Sequence, residues 1–256
     1  MRRRLGARHD AVVITQSALR PTGAPSHAAR RPSVVPAMLR LLAAPVVGGA
    51  VGVMLGYWCR RVAGTGGVAG TLAELGAPWI LAAFVAGALP MIAADRRPRA
   101  QLVSGVVGAL AGATSLVVAT VVYYGPARTG RLDVPDARGI TAMWAVVGIA
   151  VGVVIGAAGA LWRSAPNAAQ AVGCLVVAGT AVAAEAYYLL DAGDTGTRSV
   201  LVVLAAVGIG LPLLAGRRWA APVGMVLVAV LAVPGSLLAE VVWRGSAEGV
   251  ALLQRR

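Results

Sequence analysis

Charge is missing from long stretches of this chain, and that constrains its fold more than any other feature. Seven apolar runs, roughly 38–58, 77–94, 101–124, 140–162, 168–190, 199–215 and 219–243, hold almost no ionisable side chain. A soluble fold of this size has to scatter charge over every exposed face. Here 58% of 256 residues are apolar and only 13% are charged. A bilayer core about 30 Å thick takes about 20 helical residues, and six of the runs are long enough. The run 199–215 is the shortest and contains Pro212, so it is expected to be kinked, tilted or only partly spanning. Barrel strands alternate in polarity, whereas these runs are apolar on every side. The expected fold is an all-α integral membrane protein of about seven transmembrane helices, with the lipid bilayer as its main partner.

All 23 basic residues are Arg and the formal net charge is +13. Such a charge suits nucleic acid, but the Arg cluster at the ends of apolar runs, where membrane anchoring accounts for them. No nucleic-acid partner is expected. Residues 1–37 read as an Arg- and Pro-rich, disordered cytoplasmic arm, whose apolar patch from Ala11 to Ile14 is too brief for a signal peptide. Met38 offers a second translation start that would leave the arm out. The transmembrane domain covers 38–243, and 244–256 form a polar tail. With a cytoplasmic amino terminus, 14 Arg fall inside and 9 outside. Starting from Met38 the tally becomes 7 against 9, and the same orientation then rests on the shortness and low acidity of the inner links. The carboxyl terminus is then outside.

Small residues recur at helical spacing. Gly48, Gly52 and Gly56 share a face of the first run, Ser104, Gly108 and Gly112 one of the third, and Gly148, Gly152 and Gly156 one of the fourth. Such faces allow close helix contact and are expected to be buried between helices. The segments 46–56 and 146–156 are identical at eight of eleven positions. Their spans would run in opposite directions, as in a 3+3 inverted repeat followed by one helix, an arrangement found in many transporters. The abundance of Ala, Val and Gly also produces such matches without a repeat.

Ionisable residues inside apolar runs mark functional sites in membrane proteins. Glu185 lies five residues from the outer end of its run, roughly 7 Å deep at 1.5 Å per residue. Glu240 stands three residues before Trp243. Near the interface a carboxylate costs less than the ~2.5–3.5 kcal/mol of the bilayer centre, so snorkelling or pairing with Arg198 or Arg244 is one reading. The sharper one is that Glu185, framed by tyrosines, binds a cation or takes up a proton in an outward cavity. Tyr57, Trp58, Trp79, Tyr123, Tyr124, Trp144, Tyr187, Tyr188 and Trp243 fall at outer ends, against Trp162 and Trp219 at inner ends. An interface belt explains aromatic residues there, and the skew leaves room for an outward aromatic pocket. The candidate substrate-binding set is Glu185, Tyr187, Tyr188, Tyr123, Tyr124, Trp79 and Glu240.

Catalytic chemistry is poorly provided for. Both histidines, His9 and His27, lie in the arm, which removes a Ser-His dyad, a zinc-binding HExxH site and His acid-base work from the apolar body. Asp191-Ala192-Gly193-Asp194 lacks the Gly of an intramembrane aspartyl protease motif and reads as a solvated turn. The loop from Gly125 to Gly139 reads as a solvated connector, and no phosphate-binding loop ends in Lys-Ser or Lys-Thr. Cys59 and Cys174 offer neither a disulfide pattern nor metal-ligand spacing. No enzymatic activity, cofactor or metal is expected.

The stretch Thr71 to Leu89, Tyr123-Tyr124-Gly125, Trp144 through Trp162-Arg163 and Ala184-Glu185-Ala186 resemble an uncharacterised family of small multi-spanning membrane proteins from high-GC Gram-positive bacteria. The likeness covers about residues 40 to 215, and Ala77-Pro78-Trp79 and Glu185 are its most specific pieces. It implies a plasma-membrane location and span count and supplies no activity. Two functional expectations follow. One is a small permease or ligand-binding membrane protein with an outward aromatic and carboxylate site. The alternative is a non-catalytic scaffold or accessory subunit that forms homo- or hetero-oligomers through its Gly faces.

Overall fold

The computed structural model describes residues 34–91, 98–125, 137–192, 197–216 and 219–254. The expectations for the rest of the arm, for the 126–136 loop and for Asp194, Arg217 and Arg218 lie outside these residues. Among the described residues all regular structure is helical: α1 Val34–Val62, α2 Gly67–Glu74, α3 Ala77–Ala88, α4 Pro98–Tyr124, α5 Ala137–Arg163, α6 Ala168–Ala192, α7 Arg198–Gly210 and α8 Ala220–Gln254. Short 3-10 turns extend α3 through Met91 and α7 through Ala215. α1 thus begins ahead of Met38, and α8 continues past Trp243.

Six stretches are individually long and apolar enough to cross a bilayer: Met38–Val62, Gln101–Tyr124, Gly139–Arg163, Ala168–Leu190, Arg198–Ala215 and Ala220–Val241. The shortest includes Pro212, where the α-helix gives way to the tighter 3-10 turn. The run 77–94, expected to span by itself, is not a helix of spanning length over its described residues, Ala77–Met91. α3 has only 12 residues, and its apolar length is completed by α2 across a bend of 67°. The sequence enforces that break. Leu75 is extended, and Pro78, in the first turn of α3, has no N–H with which to continue a helix from α2. Upstream, Gly64, Gly66 and Gly67 all take positive φ, letting the chain reverse between α1 and α2.

Glycine faces hold one group of helices together. An added Cβ on Gly48, Gly52 or Gly56 of α1 would strike the backbone oxygens of Ala111, Ser115 and Ala119 of α4 in turn. The register advances by four on both helices, so α1 and α4 run parallel. On its other side α4 meets α5, with Gly152 against Gly112 and Gly156 against Gly108, and here the register runs in reverse. α3 joins at the same point, because Gly87 lies on the Gly156 carbonyl and Gly159 on that of Phe84. Gly48, Gly52, Gly56, Gly108, Gly112, Gly148, Gly152 and Gly156 are buried against helices of the same chain. A second group forms around α6, which packs on both α7 and α8. Gly179 and Gly208 face each other between α6 and α7, while Ala221, Gly224, Val228, Ala232 and Ser236 make the buried stripe of α8. The groups meet along a seam where α3 and α5 touch α6.

Candidate functional site

At one end of this seam the helices part. A cavity of about 1060 Å³ lies between the start of α3, the last turns of α4 and the first half of α5 on one side, and the last halves of α6 and α8 on the other. All of these segments belong to the half of the bundle that holds the C-terminal ends of α1, α4, α6 and α8. The walls are mainly apolar, among them Ile80, Leu116, Val147, Val151 and Ile155.

Glu185 is the charged group within. It is only 7% exposed, and its carboxylate sits at the N-terminus of α3. The Gly76 amide donates to Oε1 at 2.5 Å, with the Ala77 amide alongside. Helix N-termini leave unpaired N–H groups and carry partial positive charge. Gly76 has no side chain to cap its own helix, so Glu185 supplies the acceptor from 109 positions away. Space is tight here: a Cβ at position 76 would sit 3.0 Å from Oε1, so the carboxylate would have to give way by a few tenths of an ångström. The other oxygen, Oε2, is buried with no hydrogen-bond partner among the described residues, and so is the Thr180 hydroxyl. Both residues line the cavity.

Aromatic rings form the neighbouring wall. Trp79 packs edge-on against Tyr123 at 5.6 Å, and Tyr123 against Tyr124 at 4.7 Å. These three and Trp144 all line the cavity. Of the expected set, then, Glu185, Trp79, Tyr123 and Tyr124 come together around one space. Tyr187, Tyr188 and Glu240 are not among its lining. Tyr187 is exposed, as are Tyr57 and Trp58 of the interface belt. Glu240 pairs with Arg244 at 2.5 Å one helical turn on. No ion pair joins Glu185 to Arg198 among the described residues.

Sequence reasoning missed Gly76, Thr120, Met143 and Thr180 as lining residues, and assigned Trp144 to the belt alone. A signal for Gly76 was present, since a Gly-Ala-Pro start inside an apolar stretch marks a helix N-terminus. The two most specific pieces of the resemblance, Ala77-Pro78-Trp79 and Glu185, turn out to be two halves of one site. Cys59 and Cys174 are buried and free.

Apolar helices of spanning length, packed through glycine around a cavity with one buried carboxylate, are compatible with a multi-pass membrane protein. The chain belongs to a family of unknown function, DUF6518, which it matches over residues 31–245. No curated protein and no solved structure matches it.

Proposed function

We propose that the chain is a small, non-enzymatic permease or ligand-binding membrane protein of the bacterial plasma membrane, with the Glu185 cavity as its site. One observation carries this reading: Glu185, whose second carboxylate oxygen is buried without a partner, lines a space large enough for a small organic molecule. Ligand sites are usually preformed, mostly apolar spaces of about 300–1,000 Å³ with a few placed polar groups. A buried polar atom left unpaired costs about 1–3 kcal/mol, a cost that a ligand donor relieves. A span broken near the site is also how many transporters bring helix ends to a substrate.

With the amino terminus in the cytoplasm, the cavity lies in the outer leaflet half. The aromatic skew toward that side then reflects a pocket wall as well as a belt. The scaffold alternative, resting on Gly faces free for partners, receives less support. The glycines of α1, α4 and α5 meet helices of the same chain. Their contacts also give a local reason for the likeness of 46–56 and 146–156, since both segments pack against α4, and no repeat is needed to account for it.

The test is thermal unfolding in dodecyl maltoside against a chemically mixed panel of small solutes, followed by flux of any hit in proteoliposomes. A ligand at about 100 times its Kd stabilises by about 2.7 kcal/mol. Hits are expected to stabilise the wild type more than Val147→Trp, which puts a bulkier ring into the cavity. A panel without any hit, or hits acting equally on both proteins, would overturn the reading.

A further inference from the structure

We propose that the cavity takes a protonated amine carried on an apolar or aromatic body, with Glu185 Oε2 receiving its ammonium. This deepens the reading above and rests on it.

The charge of the lining departs from that of the chain. Basic residues outnumber acids 23 to 10 overall, yet among the described residues the cavity is lined by two acids, Glu74 and Glu185, and by no Arg. An anion would meet the carboxylate without a counter-charge. Nor is the α3 N-terminus open to it, because the Glu185 carboxylate already occupies that positive end. With Oε1 engaged by Gly76, the carboxylate keeps an unpartnered acceptor at Oε2. An ammonium brings an N–H donor and a positive charge to it. A hydrogen bond to a charged group is worth about 1.5–3 kcal/mol, more than a neutral one. Beside it, Trp79 and Tyr123 supply ring surface that suits an aromatic body and attracts a cation.

Two sources offer this chemistry: a free lipophilic amine, or a lipid whose headgroup is a primary amine. The probe for both is dansylcadaverine, a fluorophore bearing a primary ammonium, with its neutral N-acetyl derivative as the matched control. Titrated into the full chain in dodecyl maltoside, the amine is expected to bind saturably and at least ~10-fold more tightly than the acetylated form, the ratio that one charge-assisted hydrogen bond implies. Glu185→Gln should abolish that preference. Val147→Trp, which leaves the carboxylate intact, should weaken binding of both. Added phosphatidylethanolamine competes if the natural ligand is a lipid and leaves the titration unchanged if it is a free amine; both results keep the ammonium. Equal binding of the two probes, or an unaltered preference in Glu185→Gln, overturns the proposal. The parent reading survives that failure if neutral or anionic solutes stabilise the protein, and falls only if nothing does.

Discussion

Truncating Glu185 to Ala removes the acceptor that the Gly76 amide meets and the negative charge at the α3 N-terminus. The expected cost is about 1–3 kcal/mol, seen as a lowered unfolding midpoint in detergent. Glu185→Gln keeps a carbonyl oxygen for Gly76 and should retain most of the stability, so the pair separates anchoring from ligand binding. Glu240→Gln is expected to stay within about 0.5 kcal/mol, because its partner Arg244 is 74% exposed and sits one turn away. Glu185 was legible in the sequence because an acid deep in an apolar run has few explanations. Tyr187 was a poor companion for it on helical geometry alone, since residues two apart on a helix point roughly 200° from each other. Tyr123 lies in a different helix, and no local spacing reveals that neighbour.

At the level of the helix, the small-residue faces separate glycines that need to be glycine from those that do not. Gly52 of α1 has the Ser115 carbonyl where a Cβ would go, whereas Gly49 has nothing within 4 Å. Gly52→Ala should force α1 away from α4 and cost about 1–3 kcal/mol. Gly49→Ala should be neutral or slightly stabilising, as helix propensity favours Ala. Chemical denaturation of the two variants in mixed micelles checks the difference. These faces were readable as spacing, and the structure adds which helix each one meets. The pairing of α2 with α3 across a bend was not readable from hydropathy, which placed the run at 77–94 and left α2 outside it. Length misled as well. The run 77–94 counts as long enough, yet α3 spends only 12 of its residues as α-helix.

Across the whole molecule, the cavity exists because two helix groups, each tightly packed within itself, meet along a seam that closes at one end only. Phe84, Leu116, Ile155 and Leu175 fill the closed part. Beyond them, small residues such as Ala181, Ala184 and Gly235 leave the seam open. Val147→Trp is accordingly expected to leave the unliganded midpoint unchanged or raised while ligand-induced stabilisation shrinks, as differential scanning fluorimetry would show. Such a space is invisible in sequence, since it depends on which faces of non-adjacent helices fail to meet.

One consequence reaches past this molecule to its relatives. Position 76 has little room for a side chain because the acid of another helix leans on it, and that acid is stable in place because an amide greets it there. The two positions are therefore expected to drift as a couple through descent. Lineages that gain bulk at the first should shorten or surrender the second, and a lone change at either should be rare.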